Sequence, residues 1–403
     1  MKKLILFLLI IFHSCQNNNE KLKIPKALKD YRVELESFRD EFGGSRNMPD
    51  VKWFQFGMGN RTKLIYKNGA LINAITTDTL YKWQVAEEYI LPAEYKVILK
   101  TNKGNWISII EDSASVKIYE DSISKVILGT ENRLKLPDFK NYKYPKIMKV
   151  LHHEILINII NGLPLPNFYV YAKPWRRDAA MMTMCLNATG NTGLIKDWAL
   201  SLTDPYDRNN AGETEADNLG QTLYILSFFS DKNNKLVRQI LKEAKKFEVI
   251  EEKGIYIRGR SDFHEAPVYQ TKWLKYGLKS MKLPDKYIIP EIADDYSALF
   301  WWDYKEHYVP GNMFRSNDAN DRKKYPYLGW ACDHFHGEKK SPISNRDYPI
   351  TWEIKASQAN YSGMASIDSA YVNDQNSSPH TWHTCEILLY LLDIKTNNEQ
   401  YLN

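Results

Sequence analysis

Short runs of alternating apolar and polar residues occupy the chain between residues 49 and 140. Alternation with a period of two predicts strands that are buried on one face. Val51–Phe56 is such a run. The next candidate strand, Lys63–Lys67, leads into the Asn68-Gly69 pair, which favours the tight turn of a β-hairpin. Turns that contain Gly, Asn or Asp separate the further candidate strands, which are Ala70–Ala74, Tyr95–Lys100, Trp106–Glu111, Ser115–Tyr119 and Ser124–Leu128. The pattern therefore predicts a small β-sandwich domain over residues 49–140.

The period changes after a linker at Pro137–Pro145, and apolar residues recur from residue 145 to residue 403 at helical spacing. Long polar loops precede every second predicted helix, which favours antiparallel helical pairs. The predicted helices are Ile147–Ile160, Ala179–Leu186, Leu194–Leu202, Ala216–Ser230, Leu236–Phe247, Ala266–Met281, Pro290–Tyr308, Tyr325–Phe335, Thr351–Ser362 and Pro379–Asp393. Residues 145–403 are therefore predicted to form a second, helical domain.

The N-terminus has the features of an export signal. Met1-Lys2-Lys3 is followed by the apolar run Leu4–Phe12, which is too short to span a bilayer, and then by Ser14-Cys15. This order resembles a bacterial lipoprotein signal over residues 1–15, with Cys15 as the lipidated residue. An ordinary secretory signal with a chance cysteine is the alternative. Residues 16–48 are predicted to form a tether and one helix.

Composition narrows the possible partners of this 403-residue chain. Its hydrophobic content of 43% and charged content of 26% are typical of a globular protein. The net charge of +5 comes without a long basic run, so a nucleic-acid partner is not expected. The 11 Trp and 26 Tyr residues suit carbohydrate binding, because their ring faces stack on sugar faces. The remaining Cys residues fit no zinc spacing, and we expect no metal or cofactor.

The segment Tyr171–Leu186 carries the most informative group of polar residues. A Pro-Trp loop with Trp175 leads into Arg177 and Asp178, which are predicted to lie at the first turn of an apolar helix. An Asp is favoured there by the free N–H groups of the helix terminus. The Arg offers N–H donors and the Asp an acceptor for the hydroxyl groups of a pyranose, and the Trp offers a ring face for stacking. A capped helix with a surface ion pair is the alternative interpretation.

This segment resembles the Trp-x-Arg-Asp signature of the six-hairpin (α/α) toroid glycosidases, the superfamily of the glucoamylases. Two more segments carry the resemblance. Asp217 and Gly220 match an Asp-x-x-Gly element, and Ser378-Pro-His-Thr-Trp382 is similar to the Thr-Trp helix that closes the fold. The resemblance implies a mainly α fold: an (α/α) toroid of helical hairpins preceded by the β-sandwich. It also implies that Trp175, Arg177, Asp178, Asp217, His264, His380 and Trp382 bind substrate.

Catalytic carboxylates are assigned from the same resemblance. Glu265 is nearest the position of the general acid, and Phe263, Tyr269 and Trp273 around it would raise its pKa by desolvation. Asp374 is nearest the position of the base, with Glu353 as its rival.

Other polar residues of the same segments are further candidates. His264 is an alternative proton donor to Glu265, and Asp368 lies behind Asp374 in the sequence. Glu386 is placed two turns into an apolar helix and is not expected to reach substrate. The pair His334 and His336 lacks a well-spaced third ligand for a metal.

The expected function is hydrolysis of an oligo- or polysaccharide by two carboxylates, with inversion implied by the resemblance. A lipid anchor at Cys15 would hold the enzyme on a membrane of the bacterial cell envelope. Two alternatives stay open. A polysaccharide lyase would use a Tyr or His as its base, and a glycan-binding lipoprotein would have no working acid–base pair.

Overall fold

A computed structural model describes residues 24–42, 52–121, 123–129, 133–171, 173–208, 212–261, 264–290, 343–354, 360–365, 367–373 and 375–400. Helix makes up 39% and strand 24% of the structure. Most strands lie in the N-terminal region, and short hairpins separate several of the later helices. The protein therefore combines helices with several antiparallel sheets.

The N-terminal region consists of helix α1, Lys26–Phe42, and two antiparallel sheets. The first sheet contains β1 Trp53–Phe56, β2 Leu64–Lys67, β3 Ala70–Asn73 and β4 Thr79–Lys82. The second contains β5 Val85–Leu91, β6 Lys96–Thr101, β7 Trp106–Glu111, β8 Ser115–Glu120 and β9 Ile123–Gly129. In both sheets each strand pairs with its neighbour in sequence. The predicted Asn68-Gly69 turn is confirmed, since both residues have a positive φ and Lys67 pairs with Ala70.

The later part of the chain has helices joined by loops and hairpins. The helices are α2 Pro145–Ile157, α3 Arg176–Ala188, α4 Lys196–Ser201, α5 Asp217–Leu226, α6 Lys235–Ala244, α7 Pro267–Ser280, α8 Ser362–Ala365, α9 Ser369–Asn373 and α10 Thr381–Gln400. The strands are β10 Ile159–Ile160, β11 Leu163–Pro164, β12 Glu248–Glu251, β13 Gly254–Ile257, β14 Arg260–Ser261, β15 His264–Glu265, β16 Glu353–Ile354 and β17 Asn376–Ser377. Helices α2 and α3 both pack on α10, and α5 packs on both α3 and α7.

The expected (α/α) toroid is wrong. The structure is a mixture of helices and antiparallel sheets, and nothing in it supports a ring of six hairpins. The predicted helix Thr351–Ser362 begins instead with an isolated bridge at Thr351 and strand β16, which pairs with β17. Helical periodicity is a local property of the sequence, and it does not determine whether helices close into a ring. The predicted helices Pro290–Tyr308 and Tyr325–Phe335 lie outside the described residues, apart from Pro290 itself.

Helix α1 is docked to the rest of the protein. The Glu34 carboxylate accepts hydrogen bonds of 2.6 and 3.0 Å from the Lys146 and Ile147 amides, which are free N–H groups of the first turn of α2. The Arg39 guanidinium donates to the Ser344 carbonyl, at 2.7 Å from Nη2. A single hydrophobic core also joins Phe38 of α1 to side chains of both sheets and of α2, α3 and α10.

A buried carboxyl group joins α2 to the segment before β16. Both oxygens of Glu154 accept hydrogen bonds, Oε1 from the Ile350 amide and Oε2 from the Thr351 hydroxyl at 2.6 Å. The Thr384 hydroxyl of α10 lies 3.3 Å from Oε2. Burial raises the pKa of Glu154 to about 8, although these hydrogen bonds lower it. The protonated form is therefore favoured by folding.

Among the described residues, no helix is long and apolar enough to cross a membrane.

Replacing Glu154 with Gln should flatten the pH dependence of stability. Because the pKa of Glu154 is raised from 4.5 to about 8, its contribution to folding is complete below the lower value. That contribution is lost as the pH rises through the higher value, by at most about 1.4 kcal/mol per pH unit. The free energy of unfolding, measured in urea at several pH values between these two, should change less with pH for Glu154→Gln than for the wild type. The control is Glu36→Gln at an exposed position, which should keep the pH dependence of the wild type. An unchanged pH dependence for Glu154→Gln would contradict the raised pKa of Glu154.

Candidate functional site

Segments from distant parts of the sequence meet at the N-terminal ends of α3, α5 and α10. We call the group they form the Arg177 cluster, which consists of Arg177, Asp178, Glu215, Asp217 and Trp382. The first two residues lie in the first turns of α3, and Asp217 is the first residue of α5. Trp382 lies in the first turn of α10. Helix N-termini carry partial positive charge, so this arrangement favours carboxylates.

Arg177 is the centre of the cluster. Its Nε and Nη2 atoms lie 3.2 and 3.1 Å from Oδ2 of Asp217, and Nη2 lies 3.4 Å from Oε2 of Glu215. The guanidinium carbon is also 5.1 Å from the centre of the Trp382 ring, within the range of a cation–π contact. Only 6% of Arg177 is exposed to solvent. A buried guanidinium needs such partners, because an unpaired buried charge is costly.

Both carboxylate oxygens of Asp217 accept hydrogen bonds from other side chains of the protein. Oδ1 accepts from the Ser261 hydroxyl at 2.8 Å, and Oδ2 accepts from the Gln221 amide at 2.8 Å in addition to Arg177. Gln270 of α7 donates in turn to the Ser261 hydroxyl. The carboxylate is completely buried. Asp217 therefore positions Arg177 and links α5 to the β14–β15 hairpin.

Asp178 and Glu386 form the second carboxyl pair of the site. Asp178 lies 3.5 Å from the Thr381 hydroxyl of α10. Glu386, further along α10, is buried, and its Oε2 atom lies 3.4 Å from Nδ1 of His383. Burial raises the pKa of Glu386 well above its usual range, and the nearby Asp178 raises it further. Burial and the neighbouring Asp178 therefore both disfavour a negative charge on Glu386.

Trp175 and Arg176 lie beside the cluster. Trp175 is partly exposed, and the Lys173 ammonium is 5.0 Å from its ring centre. Arg176 faces away from Arg177: its Nε donates to the Thr222 hydroxyl at 3.1 Å and its guanidinium lies over Trp198. Of the expected binding residues, Arg177, Asp178, Asp217 and Trp382 come together. Trp175 is the residue directly before α3, and its ring contacts Lys173.

Glu265 lies in a different environment from the one expected. Its side chain is 56% exposed and pairs with the Arg258 guanidinium at 2.7 Å. Tyr269 and Trp273, which were expected to desolvate it, are buried in the core. The desolvated environment expected for Glu265 is therefore not found in the structure. Its role as general acid stays a prediction.

Several other candidates are only partly described. Asp374 and Cys15 lie outside the described residues, as do His334 and His336. Glu353 and His264 lie in β16 and β15, but their side chains are not described. His380 is buried next to the N-terminus of α10, with its ring centre 5.4 Å from that of His383. Asp368 is bound by Lys67 of β2 at 2.6 Å.

Sequence reasoning missed the residues that complete the site. Ser261, Gln221 and Gln270 are polar residues whose contacts depend on the packing of α5 against α7, and no motif marks them. The position of Glu386 inside an apolar helix argues, from sequence alone, against contact with substrate. Its spacing of four residues from Trp382 was the available signal, since side chains at that spacing share a helix face.

Comparison with known proteins found no matching family model, no matching curated protein and no matching solved structure. The expected membership of the six-hairpin glycosidases is corrected accordingly, because neither the comparisons nor the mixed fold supports it. Within the part of the chain that is described, no group of three or more His, Cys, Asp or Glu side chains is arranged to hold a metal ion.

Replacing Gly220 with Ala should disrupt the site through the backbone. A Cβ at this position would lie 2.1 Å from the carbonyl carbon and oxygen of Trp273, and the matching position at Gly277 faces the Gly220 carbonyl. Helix α5 would have to move away from α7, with a cost of about 1–3 kcal/mol or more. Urea unfolding should reveal this loss, and Gly193→Ala, whose Cβ meets nothing within 4 Å, should not show it. Equal stability of the two variants would refute the close contact.

Proposed function

We propose that this protein is a carbohydrate-active enzyme that hydrolyses a glycosidic bond next to the Arg177 cluster. The observation that carries the proposal is the convergence of Arg177, Asp178 and Trp382. The Thr381 hydroxyl of α10 meets the Asp178 carboxylate of α3 across 203 positions of sequence. The Arg177 guanidinium lies over the Trp382 ring.

The chemistry of the cluster suits a sugar. A guanidinium donates several N–H groups in a fixed plane, and an ionised carboxylate accepts hydrogen bonds from hydroxyl groups. Aromatic rings such as Trp175 and Trp382 offer apolar faces for stacking. The Glu215 and Asp217 carboxylates hold Arg177 in place, so the donors are preorganised before a ligand binds.

Proton transfer would be the task of a carboxyl group near the cluster. Glu265 lies on the β14–β15 hairpin, whose Ser261 hydroxyl contacts Asp217, and its exposed side chain is accessible to a substrate. Glu215, buried beside Arg177, is the second candidate. Asp374 and Glu353 remain candidates for the second carboxylate of a hydrolytic pair.

Replacing Asp178 with Asn should weaken cleavage without abolishing it. A charge-assisted hydrogen bond to a sugar hydroxyl is worth about 1.5–3 kcal/mol, so kcat/KM should fall by roughly 10- to 150-fold. The assay is digestion of a glycan panel, followed by reducing-end release. Asp197→Asn is the matched control, because Asp197 is an exposed acid in the first turn of α4 and should behave as the wild type. Wild-type kinetics for Asp178→Asn would exclude it from the binding site.

The same panel separates the alternative functions. A polysaccharide lyase would release unsaturated products that absorb ultraviolet light, because it cleaves without adding water. Binding without any product would indicate a glycan-binding protein. Glu265→Gln should spare substrates with an activated phenol leaving group if Glu265 is the proton donor, because such groups need little protonation. Equal loss on both substrate types would instead favour a base or binding role for Glu265. Full activity on both would return the role of proton donor to Glu213, Glu215 or His264.

We also propose that the chain is exported and anchored through a lipid on Cys15. The support is the charged start, the short apolar run and the Ser14-Cys15 junction of the sequence. The anchor would place the enzyme in the bacterial cell envelope, where polysaccharides are accessible.

Replacing Cys15 with Ala should change the location of the protein. Without the thiol no lipid can be attached, so the protein should appear in the soluble fraction or stay unprocessed. Fractionation and intact mass of the expressed full chain would detect either outcome. Normal processing with full membrane retention would rule out the lipid anchor.

A further inference from the structure

We propose that Asp207 is a positioning residue of this site, which holds the first turn of α3 from a separate loop and thereby fixes the places of Arg177 and Asp178. The proposal rests on the proposed function for its kinetic consequence. Its structural part can be tested without any substrate.

Helix α3 has no cap from the residue that precedes it. Trp175 stands in that position, and its side chain makes no capping hydrogen bond. An indole has an N–H donor and no acceptor, so it cannot bind the free amides of the first turn. The Asp207 carboxylate supplies the missing acceptor, because its Oδ2 accepts from the Arg176 amide at 2.5 Å. The two residues are 31 positions apart, so the cap comes from another segment of the chain.

Asp207 bridges the starts of α3 and α5. Its backbone amide donates to Oδ1 of Asn218 at 3.1 Å, and Asn218 is the second residue of α5. Its own Oδ1 atom is buried and has no hydrogen-bond partner in the part of the chain that the structure describes. Within that part, the Arg176 amide is therefore the group that the Asp207 carboxylate binds. One residue thus connects the two helix ends that carry the Arg177 cluster.

The loop that carries Asp207, Asp204–Asp207, is itself held by both helices. The Arg176 guanidinium of α3 donates from Nη2 to the Asp204 carbonyl at 3.0 Å. The Thr222 hydroxyl of α5 donates to the Pro205 carbonyl at 2.9 Å. A loop that is fixed in this way gives Asp207 a defined position, which a group that orients binding residues requires.

The contact with the Arg176 amide controls where the binding residues lie. Arg177 and Asp178 follow Arg176 directly in α3, so a shift of the first turn moves both side chains. Arg177 must also stay within reach of Asp217 on α5, at 3.1 Å. Asp207 therefore acts through these residues, and no contact with substrate and no proton transfer is assigned to it.

The first test is hydrogen–deuterium exchange of the full chain without ligand, read by mass spectrometry at the start of α3. Asp207→Ala removes the acceptor, so these amides should exchange about 2- to 30-fold faster than in the wild type. Asp207→Asn keeps an oxygen acceptor and should exchange like the wild type. The matched control is Asp231→Ala, which removes an exposed Asp that accepts from the Asn233 amide at 2.8 Å and should leave α3 unchanged. Equal exchange of Asp207→Ala and the wild type would overturn the proposal.

The second test is a double-mutant cycle in glycan cleavage. Asp207→Ala alone should lower kcat/KM by about 2- to 30-fold, because the lost cap lets the first turn of α3 move. In an Asp178→Asn background the same substitution should lower kcat/KM less, since Asp207 acts through the residues that it positions. A general loss of folded protein would reduce kcat/KM by the same factor in both backgrounds. Equal factors in the two backgrounds would therefore refute the positioning role.

The conservative variant keeps the proposal testable if Asp207→Ala does not fold. Asp207→Asn should keep kcat/KM within about threefold of the wild type, because its side-chain carbonyl still accepts from the Arg176 amide. A loss of more than about tenfold in Asp207→Asn would mean that the charge of the carboxylate acts directly, and would contradict the positioning role. If the wild type cleaves no glycan, the proposed function fails, and amide exchange at the start of α3 still decides the role of Asp207.

Discussion

The buried ion pair between Arg177 and Asp217 is the interaction on which the arrangement of the helical part depends. A guanidinium that is 6% exposed must have its charge compensated inside the protein. Asp217 can do this only if the first turns of α3 and α5 lie side by side. Its second oxygen requires the Ser261 hydroxyl, which brings the β14–β15 hairpin to the same place. The close approach of α5 to α7 at Gly220 and Gly277 follows from the same packing.

The N-terminal region uses the same principle. Arg61 and Glu111 form a completely buried pair at 2.6 Å, and the Glu111 carboxylate also accepts from the Gly57 and Met58 amides at 2.8 and 2.7 Å. The pair ties the loop after β1 to the end of β7. Buried charges of this kind contribute little net stability, but losing one partner is strongly destabilising. They therefore select one arrangement of distant segments among many that would bury similar apolar area.

The candidate site was predictable to the extent that its residues lie in local motifs. Arg177, Asp178, Asp217 and Trp382 each stand at a helix start that the sequence marks, and these four lie together in the structure. Glu386 carries no such mark, because its burial near Asp178 depends on the packing of α10 against α3. The predicted environment of Glu265 was wrong because it was inferred from neighbours in sequence. Tyr269 and Trp273 are buried in the core, whereas the Glu265 carboxylate is exposed.

The sequence by itself determined the local elements. Alternation predicted strands such as Trp106–Glu111, the Asn68-Gly69 pair predicted its hairpin, and helical spacing predicted α2, α3, α5, α6, α7 and the start of α10. Only the tertiary structure decided how the helices pack, that no six-hairpin ring forms, and that Glu353 and Ile354 form a strand with Asn376 and Ser377. The physical reason is the range of the forces involved. Backbone preference and periodicity act within a few residues, whereas strand pairing, burial and the compensation of charge depend on partners that are distant in sequence.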